Sequence, residues 1–230
     1  MYITVYNAFL KMLGKEWKPP KCNYTQKLPF ILAEEELDAL IAACGKKLAT
    51  FLRTLKETGA RSGEAIQLKW VDIDNRNNTI TINEPEKGGN PRIIKVSSKL
   101  IAMLNDLPHT EQKIFGSTLL NYVRRNFTAQ RKKIARKLKN PRLMRIHFHT
   151  FRHWKATMEY HKTKDILHVK QLLGHKNINN TMLYTQLIHF EGDEYHVKVA
   201  KTLEEVKELL ATGFEYVKDH DGFSVFRKRK

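Results

Sequence analysis

The hydrophobic period changes twice along this chain of 230 residues, and those changes restrict it to folds that mix helices with a small sheet. From Glu34 to Leu68 apolar residues recur at helical spacing. They do so in EEELDALIAAC, in KLATFLRTLKET after a break at Gly45, and from Ser62 to Leu68 after Gly59. Gly59 stands where a helix commonly ends in a left-handed residue. From Val71 to Val96 the pattern becomes alternating or β-branched, over Val71 to Ile73, Thr79 to Asn83 and Arg92 to Val96. The turn clusters Asp74 to Asn78 and Lys87 to Pro91 divide these runs, which predicts a three-stranded antiparallel meander. Helical spacing then returns over Ser98 to Leu107, Leu119 to Leu138, Phe151 to His161, Ile166 to Leu173 and Ile178 to Leu187, with Gly174 placed to close a helix.

The two ends follow other patterns. Tyr2, Tyr6, Phe9, Leu10, Leu13 and Trp17 form one apolar helical face, which Pro19-Pro20 stops. A lone helix of that length is marginal in water and needs a surface to dock on. Lys21 to Pro29 reads as a linker. Beyond Leu187, Tyr195 to Ala200 predicts a strand, and Thr202 with Glu205 forms a capping box for a helix that ends at Gly213. Phe214 to Val217 and Phe223 to Arg227 predict a hairpin across Asp219 to Gly222. The expected fold is α+β and mainly α, with a C-terminal β-α-β-β appendix. The expected division is residues 1–27 as a helix and linker, 28–190 as the main domain and 191–230 as the appendix.

Charge points to a partner. There are 41 Lys and Arg against 24 Asp and Glu, a formal charge of +17. Such a surface attracts polyanions, nucleic acid first and an anionic membrane second, although excess lysine also serves plain solubility. No apolar run is long enough to cross a bilayer, and the interrupted N-terminus with no small-residue cleavage site predicts no secretory leader. Cys22 and Cys44 match no metal or redox spacing, which fits a reducing cytoplasm. His147, His149 and His153 lack the cysteine or carboxylate partners of a zinc site. No phosphate-binding glycine loop and no acidic cluster for a two-metal nuclease occur, so no cofactor and no metal are expected.

The residues that carry chemistry stand in a particular order. Thr58-Gly59-Ala60-Arg61-Ser62-Gly63-Glu64 opens a helix, and Lys87 lies in the glycine-rich turn of the meander. His149-Thr150-Phe151-Arg152 puts a histidine and an arginine on one helical face. Leu173-Gly174-His175 is followed nine residues later by Tyr184. Taken singly, Arg61 is an ordinary helix-start arginine, Lys87 a solvated turn residue and Tyr184 a core side chain, while His153 is a core histidine before it is a helix residue contacting phosphate.

Taken together, from Leu28 to Leu187, the set resembles the tyrosine recombinase family of phage-type integrases, archaeal integrases and Xer-like recombinases. The resemblance implies a site-specific enzyme that cuts and rejoins double-stranded DNA through a 3′-phosphotyrosyl link. It assigns the grip on the phosphate to Arg61 and Arg152 and general acid catalysis to Lys87. His149 becomes the base, His175 a hydrogen-bond donor to phosphate, Tyr184 the nucleophile and Glu64 the residue behind an arginine or histidine. The chemistry suits those types: planar guanidiniums hold two phosphate oxygens, fixed positive charge stabilises the transition state, and the covalent ester stores the bond energy without ATP.

Arg124, Arg125, Lys132 and Lys133, usually a solvated helix face, become backbone contacts in a DNA-binding reading. The resemblance further implies self-association as a tetramer on DNA and a cytoplasmic, DNA-associated location. Residues 1–27 resemble only the last helix of the family's core-binding domain, which implies either a truncated gene or a core-binding domain supplied in trans. Other readings compete: relaxation of supercoils like a type IB topoisomerase, a non-catalytic DNA-binding remnant, and a polyanion or membrane-surface binder acting through charge alone.

Overall fold

The computed structural model describes residues 2–20, 28–187, 195–220 and 222–229. Most of the expected linker and the junction ahead of the appendix lie outside the described residues.

Helix α1 spans Tyr2–Met12. The sequence places its apolar face as far as Trp17, but the helix ends earlier, because Gly14 adopts a φ of 66°. The amide of Gly14 donates to the Lys11 carbonyl and that of Lys15 to the Leu10 carbonyl, a complete left-handed helix ending. Trp17 then folds back edge-on against Tyr6, with ring centroids 5.0 Å apart.

The central body is built on α3 (Lys46–Thr58), which packs against α7 (Phe148–Thr163). Leu48, Phe51, Leu52 and Leu55 of α3 meet Phe148, Phe151 and Trp154 of α7 in one core. Phe51 sits edge-on to both Phe115 and Phe148, at 5.2 and 5.3 Å. Helix α2 (Glu34–Ala42) covers one side with Leu37 and Leu40. It is tied to α3 by buried Lys56, which donates to Glu34 at 2.7 Å and to Asp38 at 2.6 Å. Short helices α4 (Ser62–Gln67) and α5 (Ser98–Asn105) flank the meander, and α6 (Leu120–Lys137) adds Phe127 and Ile134 to the core.

The meander forms as expected, in the order β1-β2-β3, with β1 at Ile73–Asp74, β2 at Thr79–Ile82 and β3 at Arg92–Lys95. The first strand starts two residues later than its β-branched run predicts, because Trp70–Asp72 is a 3-10 turn that leaves Val71 exposed. Helix α7 starts at Phe148 rather than Phe151, so His149 and Arg152 share its first two turns. Helix α8 (Ile166–Leu173) ends at Gly174 as predicted. The helix expected over 178–187 divides into α9 (Asn179–Met182) and a 3-10 segment, Leu183–Leu187.

The C-terminal part is the expected β-α-β-β unit. Strand β4 (Tyr195–Ala200), helix α10 (Leu203–Ala211), β5 (Glu215–His220) and β6 (Phe223–Arg229) make an antiparallel sheet in the order β4-β6-β5. Ala200, Leu209 and Phe226 form its own small core. Strand β5 runs on to His220, past its predicted end, with a bulge between Tyr216 and Lys218 that absorbs the extra residue.

Candidate active site

Gly59 closes α3 in the left-handed region, at φ 61°, and two residues later Arg61 precedes α4. The Arg61 guanidinium donates to Glu64 Oε1 at 2.9 Å and to the Glu86 carbonyl at 3.2 Å, while its amide donates to Glu64 Oε2 at 2.8 Å. Glu64 is wholly buried beneath this arginine and accepts two more bonds, from the Glu86 amide at 3.1 Å and from Arg92 Nη2 at 2.5 Å. Burial alone would raise its pKa. Arg92, followed by the Arg61 amide and guanidinium, outweighs burial and holds the carboxyl below its ordinary value. Glu64 is thus an ionised anchor for two arginines.

No motif in the sequence marks Arg92. It lies on the inward face of β3, 8% exposed, on the same face as Ile94 and paired with Ile82 of β2. Its Nε and Nη1 have no hydrogen-bond partner among the described residues.

The loop that carries Lys87 is held against the end of α8. The Asn90 amide donates to the Gly174 carbonyl at 3.0 Å. A β-carbon at Gly174 would lie 2.7 Å from the Asn90 carbonyl oxygen and 2.9 Å from Arg92 Nη1. One at Gly89 would lie 3.0 Å from the Gly174 oxygen and 3.4 Å from Arg61 Nη1. Only glycines allow these two backbones so close. Lys87 itself sits exposed at φ 56° and makes no hydrogen bond or ion pair with the described residues.

Arg152 is the best-buried of the candidate residues, 1% exposed. Its Nη1 donates to the Gly59 carbonyl at 2.8 Å and its Nη2 to the Leu173 carbonyl at 2.7 Å. One side chain therefore joins the carboxyl ends of α3 and α8, where helix dipoles favour a cation. Burial, then repulsion from Arg61 and Arg92, pulls its pKa down to about 10, which leaves it charged at neutral pH.

His175 follows Gly174 directly, and its Nδ1 lies 2.9 Å from Thr181 Oγ1. Burial and the charges of Arg152, Arg61 and Arg92 pull its pKa to about 4. His149 is exposed at the surface, yet desolvation by the packed groups around it, then His153, Arg152, His147 and Arg61, hold it well below the ordinary imidazole value. Tyr184 is 2% exposed, and its hydroxyl lies 3.0 Å from His153 Nδ1. Burial pushes the phenol up to about 12, against the pull of Arg152 and Arg61. His153, half-buried rather than in the core, is drawn down to about 4 by burial, His147 and Arg152.

Arg152, by binding the Gly59 and Leu173 carbonyls, stands between the segments that carry Arg61 and His175, and the charges of both arginines bear on His149, His175 and Tyr184. Lys87 stands apart at the hairpin tip, one residue beyond the Glu86 carbonyl that Arg61 grips. Arg124, Arg125, Lys132 and Lys133 lie on the exposed surface of α6 and outside this cluster. Among the described residues no group of three or more His, Cys, Asp or Glu is arranged to hold a metal ion.

Known proteins share this arrangement's framework. The profile described as the phage integrase family matches residues 31–189. The Tyrosine recombinase XerA of Saccharolobus solfataricus is 29% identical over 193 residues, which cover 81% of this chain and 62% of that protein. The crystal structure of XerH site-specific recombinase bound to palindromic difH substrate, a post-cleavage complex, is 27% identical with a TM-score of 0.56, over 70% of this chain and 50% of that one. The catalytic domain of bacteriophage HP1 integrase shares the fold, with a TM-score of 0.54 at 22% identity, over 81% of this chain and 96% of that one. The chain thus spans about three-fifths of the XerA relative's length. With the profile covering well over half of its residues, the chain belongs to the phage integrase family.

Proposed function

We propose that this chain is the catalytic part of a site-specific DNA recombinase that cuts and rejoins double-stranded DNA through a 3′-phosphotyrosyl intermediate, without cofactor or metal. The observation that carries this reading is that Arg152 binds the Gly59 and Leu173 carbonyls, next to the segments of Arg61 and His175, while the Tyr184 hydroxyl meets the same helix through His153. A phosphodiester held by Arg61 and Arg152 has its non-bridging oxygens against fixed positive charge, aimed where charge builds in the five-coordinate transition state. The Tyr184 oxygen forms the new bond to phosphorus as the bond to the 5′-oxygen breaks. The phenolic proton passes to a histidine of α7, and the departing oxygen takes a proton from the Lys87 ammonium. His175 donates a hydrogen bond to a phosphate oxygen. Rejoining reverses each transfer, with a new 5′-hydroxyl as nucleophile.

Residues 28–190 form the catalytic unit in this reading, and the exposed cations of α6 contact the DNA backbone. Exchange of both strands between two duplexes needs four cuts, each using one tyrosine, so four copies assemble on the DNA. The work takes place in the cytoplasm, on the chromosome or a mobile element. Nicked duplexes tiled over the DNA that flanks the gene test the reading on a denaturing gel. A covalent adduct is expected, and Tyr184→Phe should abolish it while DNA affinity stays within about twofold, since only a hydroxyl is lost. An adduct that persists in Tyr184→Phe would move the nucleophile elsewhere. Its absence from the unaltered chain on every duplex would favour a non-catalytic binder. Relaxation of a plasmid without partner exchange would favour topoisomerase action.

A further inference from the structure

We propose that His153, not His149, is the group that takes the phenolic proton of Tyr184 during attack and returns it on rejoining. The inference rests on the recombinase reading above and assigns within it a catalytic residue that touches the reacting oxygen.

Geometry carries the assignment. His153 Nδ1 lies 3.0 Å from the Tyr184 hydroxyl, within the reach that proton transfer requires. His149 meets the pair only through its ring, edge-on to His153 with centroids 4.5 Å apart, and makes no hydrogen bond to the tyrosine. The tyrosine ring lies tilted beside His153 at 5.8 Å, so the hydroxyl is held by one partner and the phenyl by the surrounding core. The groups facing His153 are His147 at the N-cap of its helix, His149 and Arg152 within that helix, and Tyr184 from the 3-10 segment that packs on α7.

These neighbours set the protonation states. Burial, His147 and Arg152 disfavour the imidazolium, so His153 rests neutral. For the Tyr184 hydroxyl to donate to Nδ1, the His153 proton sits on Nε2. The resting pair is then O–H···N with no charge, and Tyr184 is not ionised. A bound phosphodiester brings negative charge to Arg152, one of the groups that holds the imidazolium off. As the Tyr184 oxygen bonds to phosphorus, its proton moves to Nδ1 and a cation forms beside the growing negative charge of the phosphorane. The 5′-oxygen leaves with the Lys87 proton. Electrons and protons balance with two side chains changed, His153 gaining a proton and Lys87 losing one.

The test uses single-turnover cleavage of the nicked duplexes and the variant His153→Asn. An asparagine side-chain oxygen falls near the place of Nδ1 and accepts the same hydrogen bond, but it cannot take the proton. Cleavage should fall about 10²-fold or more, the usual share of general base catalysis, while DNA affinity and thermal midpoint stay near those of the unaltered chain. A fluorinated tyrosine at position 184, whose phenol is more acidic, should recover much of the loss. A 5′-bridging phosphorothiolate, which leaves without a proton, should rescue Lys87→Ala but not His153→Asn. If His153→Asn lowers the thermal midpoint, His153→Gln with the same two substrates replaces it. Cleavage by His153→Asn at the unaltered rate, or a loss that fluorotyrosine does not relieve, overturns this assignment and leaves the recombinase reading intact. A chain that forms no adduct before any substitution overturns both.

Discussion

Glu64 holds two arginines and has no room to be neutral. Glu64→Gln keeps the shape but strips Arg92 of its ion pair, and two Arg92 nitrogens, Nε and Nη1, already have no partner among the described residues. Breaking a buried pair from one side costs about 3 kcal/mol or more, which lowers the thermal midpoint of a chain this size by roughly 6 to 12 °C. Scanning calorimetry of Glu64→Gln should show that drop, and a shift within a degree or so of zero would mean that Arg92 is not held by this carboxylate. Acid acts on the histidines first. His153 and His175 bind a proton at about 4 when folded and at 6.5 when unfolded. Between those values the unfolded chain holds more protons, so stability is full above 6.5 and falls as pH drops towards 4. Each ring contributes less than about 1.4 kcal/mol per pH unit, because both are partly open to solvent. Thermal midpoints recorded across that window should decline with acid, and less steeply in His175→Asn. An equal slope in that variant would contradict the burial of His175. Arg61, His149, Arg152, His175 and Tyr184 stand out in the sequence because each lies in a motif of fixed spacing, whereas Lys87 is marked only by its glycine-rich turn. His153 does not stand out, because its partner is 31 residues away and a lone helical histidine reads as core. Each missed residue still has one signal: His153 stands one turn from His149, and β3 alternation puts Arg92 on the face of Ile94.

Helices and strands were the most legible scale, since burial enforces their periods, and their ends were the least. The C-terminus of α8 was readable from Gly174, and the left-handed ending at Gly14 was hidden by an apolar stripe that continues to Trp17 through a turn. The division of 178–187 into α9 and a 3-10 segment has no such mark in the sequence. These two glycines also offer a controlled comparison. Both have positive φ, 66° at Gly14 and 65° at Gly174. A β-carbon at Gly14 meets nothing within 4 Å, whereas one at Gly174 runs into the Asn90 carbonyl and Arg92. Gly14→Ala should cost only the left-handed penalty, about 1 to 2 kcal/mol, confined to α1. Gly174→Ala should cost that and also push the Lys87 hairpin off the His175 turn. It should therefore lower the global thermal midpoint further and slow DNA cleavage, even though alanine touches no substrate. Equal effects of the two substitutions would show that the hairpin does not depend on this close approach.

At the scale of the whole molecule, charge is unevenly spread. Helix α6 carries seven Lys or Arg and no acidic residue in 18 residues, out of a formal charge of +17 for the chain. Arg125, Lys132 and Arg136 recur at helical spacing on its exposed face. Arg131 instead turns inward to donate to the Ile146 carbonyl, next to the start of α7, and so ties α6 to the segment that leads into that helix. A phosphate backbone gripped through such a stripe gives binding with little sequence preference and a steep salt dependence, because each neutralised phosphate releases counterions. The log of the association constant should fall against log salt with a slope of about −0.9 per contact, so about five contacts give −4 to −5. Replacing Arg125, Lys132 and Arg136 by alanine should leave folding within about 0.5 kcal/mol, since all three are exposed. It should flatten the slope by up to about 2.7 and weaken binding equally on unrelated duplexes. Fluorescence anisotropy across a potassium chloride series measures both quantities. An unchanged slope in the triple variant would move the electrostatic footprint off α6. A loss confined to one DNA sequence would turn these side chains from backbone contacts into readers of bases.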